Sequence, residues 1–340
     1  QTGPTGMFGT PRVFEKFYAR LNSGVKDATW LQKTIFNWAL NIGKIYKTKI
    51  NDGEKPSFLL KAKHYMAHFF IFQKIHDIFG GKIRFMISGA APISPNIIHF
   101  FHWVGLDIYE VYGMTETTGL ISANRMGRAK IGSVGEIYLD TEVRIAADGE
   151  ICTRGAQNIV GYYRNEDATQ ELLIKDQDGI EWLHTGDVGH IDEDGYLFIT
   201  DRKKDLIITA GGKNVAPQNI ENLMKTSSFI SQTMVYGDRK PYLTMLVTLD
   251  EDEIAKFARD KKILYQDLGD LTKKQEVIDL IHHEISSLNK GLSSYQTIKK
   301  FHILEEELDQ DKDEVTPTLK VKRKVVIAHY QHFINEMYSS

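Results

Sequence analysis

The chain has 340 residues, of which 42% are hydrophobic and 26% charged, a composition typical of globular domains. Its formal net charge of −3 gives no basic surface for nucleic acid, and no apolar run approaches the ~18 residues of a membrane span. The single Cys152 excludes a disulfide within the chain and fits a reducing, cytoplasmic compartment. At this length we expect about two to three domains.

Residues 11–80 are predicted to be helical. Apolar side chains recur there at helical spacing and predict one buried stripe, formed by Leu31, Ile35, Trp38, Ile42 and Ile45. No chemistry is indicated by this segment, so we expect its aromatic and aliphatic residues to pack in a core.

A strand–helix–strand unit follows, with strands at 82–87 and 106–111. The helix between them is predicted to begin at Pro95, with Ser94 as its N-cap. The first strand ends in small residues that let a ligand approach the backbone, although an ordinary strand-to-helix turn would look the same. These residues are Gly89, Ala90, Ala91 and Pro92. Because parallel sheets bind ligands at the carboxyl ends of their strands, we expect the loops after both strands to share one rim.

The second strand leads into the run 112–119, which places an aromatic ring, a glycine, hydroxyls and a carboxylate in one predicted loop. A flat ring can cover a base, hydroxyls can reach phosphate oxygens, and a carboxylate can hold Mg²⁺. This combination is what a nucleoside triphosphate and its metal require, and a threonine-rich turn is the alternative.

Residues 132–201 alternate in short segments broken by Asp148-Gly149 and Asp194-Gly195, which predicts antiparallel β structure. The tripeptide 185–187 ends in Asp187, whose carboxylate could accept hydrogen bonds from the two hydroxyls of a ribose. A simple Asx-type turn is the alternative for the tripeptide alone.

Beyond Lys204 we predict a small α+β domain. Its expected elements are a helix at 217–224, a hairpin of strands 233–236 and 242–249, helices at 251–262 and 273–289, a strand at 299–304, a solvated acidic loop at 305–314 and a helix from about 321. A glycine-rich loop, 211–217, and a basic run, 316–323, also lie in this part.

These segments, taken in order, resemble the signature segments of the adenylate-forming (AMP-binding) enzymes. The resemblance implies that residues 1–203 are the C-terminal part of a large AMP-binding domain. This part would be a partial α/β domain, with a parallel α/β unit and an antiparallel β subdomain. Residues 204–340 would be the small mobile α+β C-terminal domain.

The resemblance also implies residue roles. Tyr112 would stack on adenine, and Thr115 and Glu116 would act on the α-phosphate and on Mg²⁺, with Glu116 as the metal ligand. Lys320 would be the catalytic lysine that bridges the acyl carboxylate and the α-phosphate. The implied nucleotide, hinge and coenzyme A contacts are Gly89, Ala90, Ala91, Pro92, Val111, Tyr112, Gly113, Met114, Thr115, Asp187, Arg202, Lys204, Gly211, Gly212 and Lys213.

In this family a Ser-Gly pair usually precedes the catalytic lysine, and Thr318-Leu319 stands there instead, which favours the long-chain fatty acid–CoA ligases. Such an enzyme uses ATP, Mg²⁺ and coenzyme A to activate a fatty acid. This interpretation allows peripheral membrane association and a homodimer. Two alternatives are an acyl-AMP ligase that delivers to a carrier protein, and a non-catalytic binding module. The family's Ser/Thr/Gly-rich phosphate loop ending in Lys is not found, so we expect a truncated portion that is inactive alone.

Overall fold

The computed structural model describes residues 3–339 except Asp27 and Thr318. Its contacts divide the chain into two compact units. Unit 1 comprises residues 1–144, 152–184 and 191–198, and unit 2 comprises residues 145–151, 185–190 and 199–340. The second unit includes two short stretches from earlier in the chain, so these units do not test a boundary at a single residue. The predicted domain boundary after residue 203 stays a prediction.

Unit 1 begins with a strand and a series of helices, as predicted for 11–80. They are β1 (Gly6–Gly9), α1 (Pro11–Lys26), α2 (Trp30–Asn51), α3 (Phe58–Ala67), a π-helical turn (His68–Phe72) and α4 (Gln73–Ile78). The helix α2 begins with a capping box, in which Thr29 and Gln32 exchange hydrogen bonds with each other's backbone. No helix among the described residues is both long enough and apolar enough to cross a membrane.

The buried stripe predicted for α2 is confirmed at Ile42 and in part at Trp38, which packs against the same core, and is wrong at the other three residues. Leu31 and Ile45 are 56% and 40% exposed, and the buried residues are Phe36, Ala39, Ile42 and Gly43. Apolar residues cover much of the circumference of α2, so periodicity alone does not choose the buried arc. At one position the buried side is fixed by helix α5 (Pro95–Trp103), because a Cβ at Gly43 would lie only 2.3 Å from the carbonyl oxygen of Trp103.

The predicted strand–helix–strand unit is confirmed. Strands β2 (Phe85–Ser88) and β3 (Ile108–Met114) pair in parallel on either side of α5 in the chain. The sheet continues with β4 (Gly119–Ala123) and β5 (Glu136–Ile137), and its strand order is β1-β2-β3-β4-β5. Pro95 starts α5 as predicted, but the side chain of Ser94 forms no capping hydrogen bond.

The antiparallel region is also confirmed. Its elements are β6 (Glu142–Ile145), β7 (Glu150–Arg154), α6 (Glu166–Leu172), β8 (Leu173–Lys175), β9 (Glu181–Ile191) and β10 (Leu197–Arg202). The strand order is β10-β9-β7-β6, with β8 paired to β9. Gly149 and Gly195 adopt positive φ in the predicted turns. Helix α6, capped by Asn165, was not predicted from the sequence.

The rest of unit 2 follows the predicted α+β order. Its elements are β11 (Ile207–Ile208), β12 (Asn214–Val215), α7 (Pro217–Met224), β13 (Ile230–Tyr236), β14 (Leu243–Leu249), α8 (Glu251–Lys261), α9 (Leu268–Leu271), α10 (Gln275–Asn289), β15 (Ile298–Ile303), α11 (Arg323–His329) and α12 (Gln331–Ser339). Strand β14 lies between antiparallel β13 and parallel β15. All seven residues of β14 are buried, as expected for a central strand with both faces covered.

The prediction that 305–314 is a solvated loop is wrong at two residues. Leu308 and Glu314 are 5% and 1% exposed. Leu308 packs in a cluster with α11 and α12 residues, and Glu314 accepts hydrogen bonds from the backbone of Asp309 and pairs with His329. The acidic composition of 305–314 gave no indication that Leu308 and Glu314 are buried, because burial of a carboxylate depends on partners that are distant in sequence.

Candidate active site

The candidate residues fall into two groups, one in each unit. In unit 1, the β2–β3 ladder pairs Ser88 with Glu110, so the small-residue loop begins level with Val111. A Cβ at Gly89 would lie 3.1 Å from Cγ2 of Val111. The two loops therefore lie at the same rim, as predicted. Ala90 adopts a φ of 71°, which marks a tight turn there.

The run 112–119 is not a single loop, which corrects the sequence prediction. Tyr112, Gly113 and Met114 end β3, residues Thr115–Thr117 form one 3₁₀ turn, and β4 begins at Gly119. The run is thus a tight antiparallel connection. The strand is longer than predicted because the backbone of these residues pairs with β4.

The tight connection depends on Gly113 and Thr117. The hydroxyl of Thr117 donates to the carbonyls of Met114 and Gly119, at 3.0 Å each, and accepts from the Met114 amide at 3.1 Å. A Cβ at Gly113 would lie 1.7 Å from the carbonyl oxygen of Gly119, so no other residue fits without a backbone shift. Tyr112 is 8% exposed, so most of its ring is already packed.

Glu116 is held by residues that the sequence analysis did not single out. Its carbonyl accepts from the amide of Ile159 at 2.8 Å, and its Oε1 accepts from the hydroxyl of Tyr162 at 2.7 Å. This hydrogen bond, together with burial, raises the pKa of Tyr162 to about 12. Nothing in the sequence separates Tyr162 from its 85% exposed neighbour Tyr163, because only the fold brings one of them to Glu116.

The oxygen donors of the 3₁₀ turn fit a hard cation. Thr115 is exposed and offers a hydroxyl, and Glu116 offers a carboxylate of which one oxygen is engaged by Tyr162. Mg²⁺ prefers such oxygen ligands and keeps several waters or phosphate oxygens in its shell. The donor set therefore suits Mg²⁺ brought in with a nucleotide.

In unit 2, Asp187 lies within strand β9 (Glu181–Ile191), where residues 185–187 are fixed by their neighbours. The hydroxyl of Thr185 donates to the carbonyl of Ile151 at 2.7 Å and accepts from the Asp187 amide at 3.1 Å. Gly186 adopts a φ of 70°, and its amide donates to Oε1 of Glu150 at 2.9 Å. These bonds fix the part of β9 that carries Asp187, which is 7% exposed.

Arg202 lies against this carboxylate. Its Nε donates to Oδ1 of Asp187 at 3.0 Å, and its amide donates to the side chain of Asp201 at 2.6 Å. Asp201 also accepts from the amide of Gln218, the second residue of α7. Burial raises the pKa of Asp201 to about 6. Arg202 is therefore fixed at both its backbone and its side chain.

Lys320 belongs to the same electrostatic group. Burial, followed by the positive charge of Arg202, lowers the pKa of Lys320, and the carboxylates of Asp187, Asp205 and Asp201 act in the opposite direction. Asp187, Arg202 and Lys320, which were all predicted to serve the nucleotide, are therefore close enough for the charges of the first two to affect the pKa of Lys320. An ammonium in such surroundings is a suitable partner for an anionic ligand.

The loop that carries Lys320 is closed by its own backbone. The amide of Thr316 donates to the carbonyl of Lys320 at 2.9 Å, and the amide of Lys320 donates to the Thr316 hydroxyl at 3.0 Å. Leu319 adopts a φ of 62° at the tip of this loop. Thr318, which stands in the family's Ser-Gly position, lies outside the described residues.

Two predicted contacts lie on exposed turns of unit 2. Lys204 and Lys213 are both exposed. The second turn is formed by Thr209, which pairs with the backbone of Lys213, and by Gly212 with a φ of 72°. The roles predicted for Lys204 and Lys213 stay predictions.

Two family models match most of the chain. Residues 1–163 match the family model described as AMP-binding enzyme, and residues 204–340 match the one described as AMP-binding enzyme C-terminal domain. The chain belongs to the AMP-binding enzyme family. Among curated members of this family, the chain is 38% identical over 337 residues to the long-chain-fatty-acid–CoA ligase FadD15 of Mycobacterium bovis, covering 99% of the chain and 55% of that protein.

A second relative comes from a plant. The chain is 32% identical over 354 residues to the peroxisomal long chain acyl-CoA synthetase 7 of Arabidopsis thaliana, covering 99% of the chain and 49% of that protein. The chain thus spans about half the length of the curated relatives it matches. Among solved structures, it resembles the adenylation domain of a carboxylate reductase from Mycobacterium chelonae, with a TM-score of 0.72, 20% identity, and coverage of 99% of the chain and 47% of that domain. This likeness supports the fold assignment.

Proposed function

We propose that the chain carries the catalytic lysine, Lys320, and the ribose-binding pair, Asp187 and Arg202, of a long-chain fatty acid–CoA ligase. The observation that carries the proposal is the placing of Lys320, Arg202 and Asp187 in one electrostatic group. The names of the relatives, at 32–38% identity, support the long-chain fatty acid as substrate. ATP, Mg²⁺ and coenzyme A are the co-substrates and metal that this function requires.

The proposed reaction has two steps. A fatty acid carboxylate oxygen bonds to the α-phosphorus of ATP, and pyrophosphate leaves with the electron pair of the broken P–O bond. The thiol of coenzyme A then attacks the acyl carbon, loses its proton, and AMP leaves. Lys320 would offset the negative charge shared by the carboxylate and the α-phosphate in the first step, and Asp187 would accept hydrogen bonds from the ribose. Mg²⁺ near Glu116 would neutralise the phosphates.

Product analysis tests this proposal on the 340-residue chain and, beside it, on the product of the complete reading frame that contains the chain. With a long-chain fatty acid, ATP and Mg²⁺, we expect the complete reading-frame product to form acyl-AMP without coenzyme A and acyl-CoA with it, and the 340-residue chain to form neither. Acyl transfer only to a carrier protein would favour the carrier-directed ligase. Nucleotide binding without either product would favour the non-catalytic binding module.

The finer location is also proposed: a cytoplasmic enzyme that touches an anionic membrane surface and collects its fatty acid there. Six large apolar residues are exposed in three adjacent pairs along α3 and the π-helical turn, and successive pairs are seven and four residues apart, which places them on one face. They are Phe58, Leu59, Tyr65, Met66, Phe69 and Phe70. Exposed Lys61, Lys63 and Lys74 flank this apolar face, as in helices that lie in a lipid interface.

Vesicle sedimentation tests this surface. We expect binding to vesicles containing phosphatidylserine, weaker binding at high salt, and loss of binding in Phe69→Ser. The matched control is Val160→Ser, at an apolar residue that is 98% exposed and lies outside the apolar face. Equal binding by both variants, or binding by the 340-residue chain but not by the complete reading-frame product, would contradict the proposal. Light scattering during size exclusion would show whether the chain forms the proposed homodimer.

A further inference from the structure

Glu150 belongs to none of the predicted motifs, but it is hydrogen-bonded to a sequence neighbour of Asp187 and to a sequence neighbour of Arg202. It is the first residue of β7 and is 5% exposed. Its Oε1 accepts from the amide of Gly186 at 2.9 Å, and its Oε2 accepts from Nζ of Lys203 at 3.0 Å. One carboxylate therefore contacts the residue before Asp187 and the residue after Arg202.

A backbone hydrogen bond also links Lys203 directly to Gly186. The amide of Lys203 donates to the carbonyl of Gly186 at 2.8 Å. Both polar groups of Gly186 are thus engaged, one by Glu150 and one by Lys203. Gly186 adopts a φ of 70° inside strand β9, a conformation that a regular strand does not have, and these two bonds hold its amide and its carbonyl.

The hydrogen bond between Lys203 and Glu150 joins opposite charges, which strengthens it. Hydrogen bonds to Asp148, and then to Glu150, hold the pKa of Lys203 above its usual range. Asp148 lies 2.6 Å from the same ammonium but is 51% exposed, and it donates nothing to and accepts nothing from Gly186 among the described interactions. The buried Glu150 is therefore the carboxylate that connects Lys203 with residues 185–187 of β9.

We propose that Glu150 is a positioning residue that fixes Asp187 and Arg202 in the geometry needed to hold the two ribose hydroxyls of the nucleotide. It acts through Gly186 and Lys203 and does not touch the ligand. This inference rests on the proposed function, since it assumes that Asp187 binds a ribose. Without Glu150, the amide of Gly186 would lose its acceptor, and the ammonium of Lys203 would lose one of its two carboxylate partners.

The test compares Glu150→Gln with the matched control Asp148→Asn, which removes one carboxylate from Lys203 without touching Gly186. Calorimetry on the complete reading-frame product measures binding of AMP, 2′-deoxy-AMP and 3′-deoxy-AMP. We expect the unaltered protein to prefer AMP, and Glu150→Gln to weaken AMP binding about tenfold, the effect of one charge-assisted hydrogen bond. The deoxynucleotides should lose much less, so the preference shrinks, which a general loss of stability would not produce. Asp148→Asn should keep the preference.

Amide exchange at Gly186 provides a readout that needs no ligand, and it should become faster in Glu150→Gln. Unchanged exchange, or a full preference for AMP in Glu150→Gln, would overturn the role of Glu150 and leave the proposed function standing. An unaltered protein with no preference for AMP over its deoxy forms would overturn both. If Glu150→Gln fails to fold, Lys203→Gln takes its place, because it removes the cation and keeps the backbone bond to Gly186.

Discussion

At the scale of single residues, Lys320 is the side chain on which the proposed chemistry depends. We expect Lys320→Ala to reduce acyl-AMP formation by ~100-fold or more, the scale for removing one positioned electrostatic group. Thioester formation from supplied acyl-AMP should be largely spared, because the carboxylate and α-phosphate are already joined. Rapid-quench measurement of each half-reaction checks this, and equal loss in both would contradict the assignment.

The lowered pKa of Lys320 has its own consequence. Since only the ammonium form offsets negative charge, acyl-AMP formation should fall as pH rises through a pKa below that of an ordinary lysine. The pH profile of the first half-reaction measures this fall. An alkaline limb at the ordinary lysine value would mean that Lys320 is more hydrated than its burial indicates.

Glu110 is a second residue with a measurable pH effect. It is buried in β3, accepts from the amide of Ile93, and burial raises its pKa to about 8 from a usual value of 4.5. Between these values the folded chain binds more protons than the unfolded chain, so stability is lost as pH rises through this window. Glu110→Gln should remove that loss, which amounts to about 1.4 kcal/mol per unit of pKa shift.

Denaturant titration of the 340-residue chain at pH 5 and pH 8.5 measures this effect. The stability gained by Glu110→Gln over the unaltered chain should be clearly larger at pH 8.5. Glu193→Gln, at an exposed turn, is the control for removing one negative charge. A gain that is the same at both pH values would contradict the burial argument.

At the scale of elements, the connection between β3 and β4 requires Gly113. A methyl group there would overlap the backbone of Gly119, so we expect Gly113→Ala to destabilise unit 1 by ~1–3 kcal/mol, the usual cost of overpacking. Gly24→Ala in α1, where a Cβ would meet nothing within 4 Å, should instead be neutral or stabilising by ~0.5–1 kcal/mol. Thermal unfolding measures both, and equal effects would show that the close approach is not rigid.

A buried ion pair connects three elements of unit 2. Glu221 in α7 lies 2.5 Å from Arg323 at the start of α11, and both contact the backbone of Val235 in β13. Removing Arg323 would leave a buried charge without its partner, so Arg323→Ala should cost ~3–5 kcal/mol. Lys312→Ala, which breaks an exposed pair with Glu306, should cost less than ~1 kcal/mol. Similar losses in the two variants would contradict this difference.

The elements also show how far a sequence predicts this fold. Helix α7 was predicted with both its bounds, because Pro217 marks its start and its period is clear. The β2–α5–β3 unit and the β13–β14 hairpin were predicted for similar local reasons. The buried face of α2, the anchors Leu308 and Glu314, and the partner residues Tyr162 and Glu150 were missed. Each of these depends on a neighbour distant in sequence, which no local pattern records.

At the scale of the whole molecule, the two units have separate hydrophobic cores. One core lies among residues 14–108, and the clusters of unit 2 lie among residues 207–337. The candidate residues are divided in the same way, with Tyr112 and Glu116 in one unit and Asp187, Arg202 and Lys320 in the other. The proposed roles are therefore distributed over the two units.

Fatty-acid-dependent exchange of labelled pyrophosphate into ATP tests the proposed ligase most directly, since it reports the first half-reaction alone. With the complete reading-frame product, we predict exchange that requires both a long-chain fatty acid and Mg²⁺ and that is lost in Lys320→Ala. Nucleotide binding without exchange for any fatty acid, or exchange that persists in Lys320→Ala, would contradict the account.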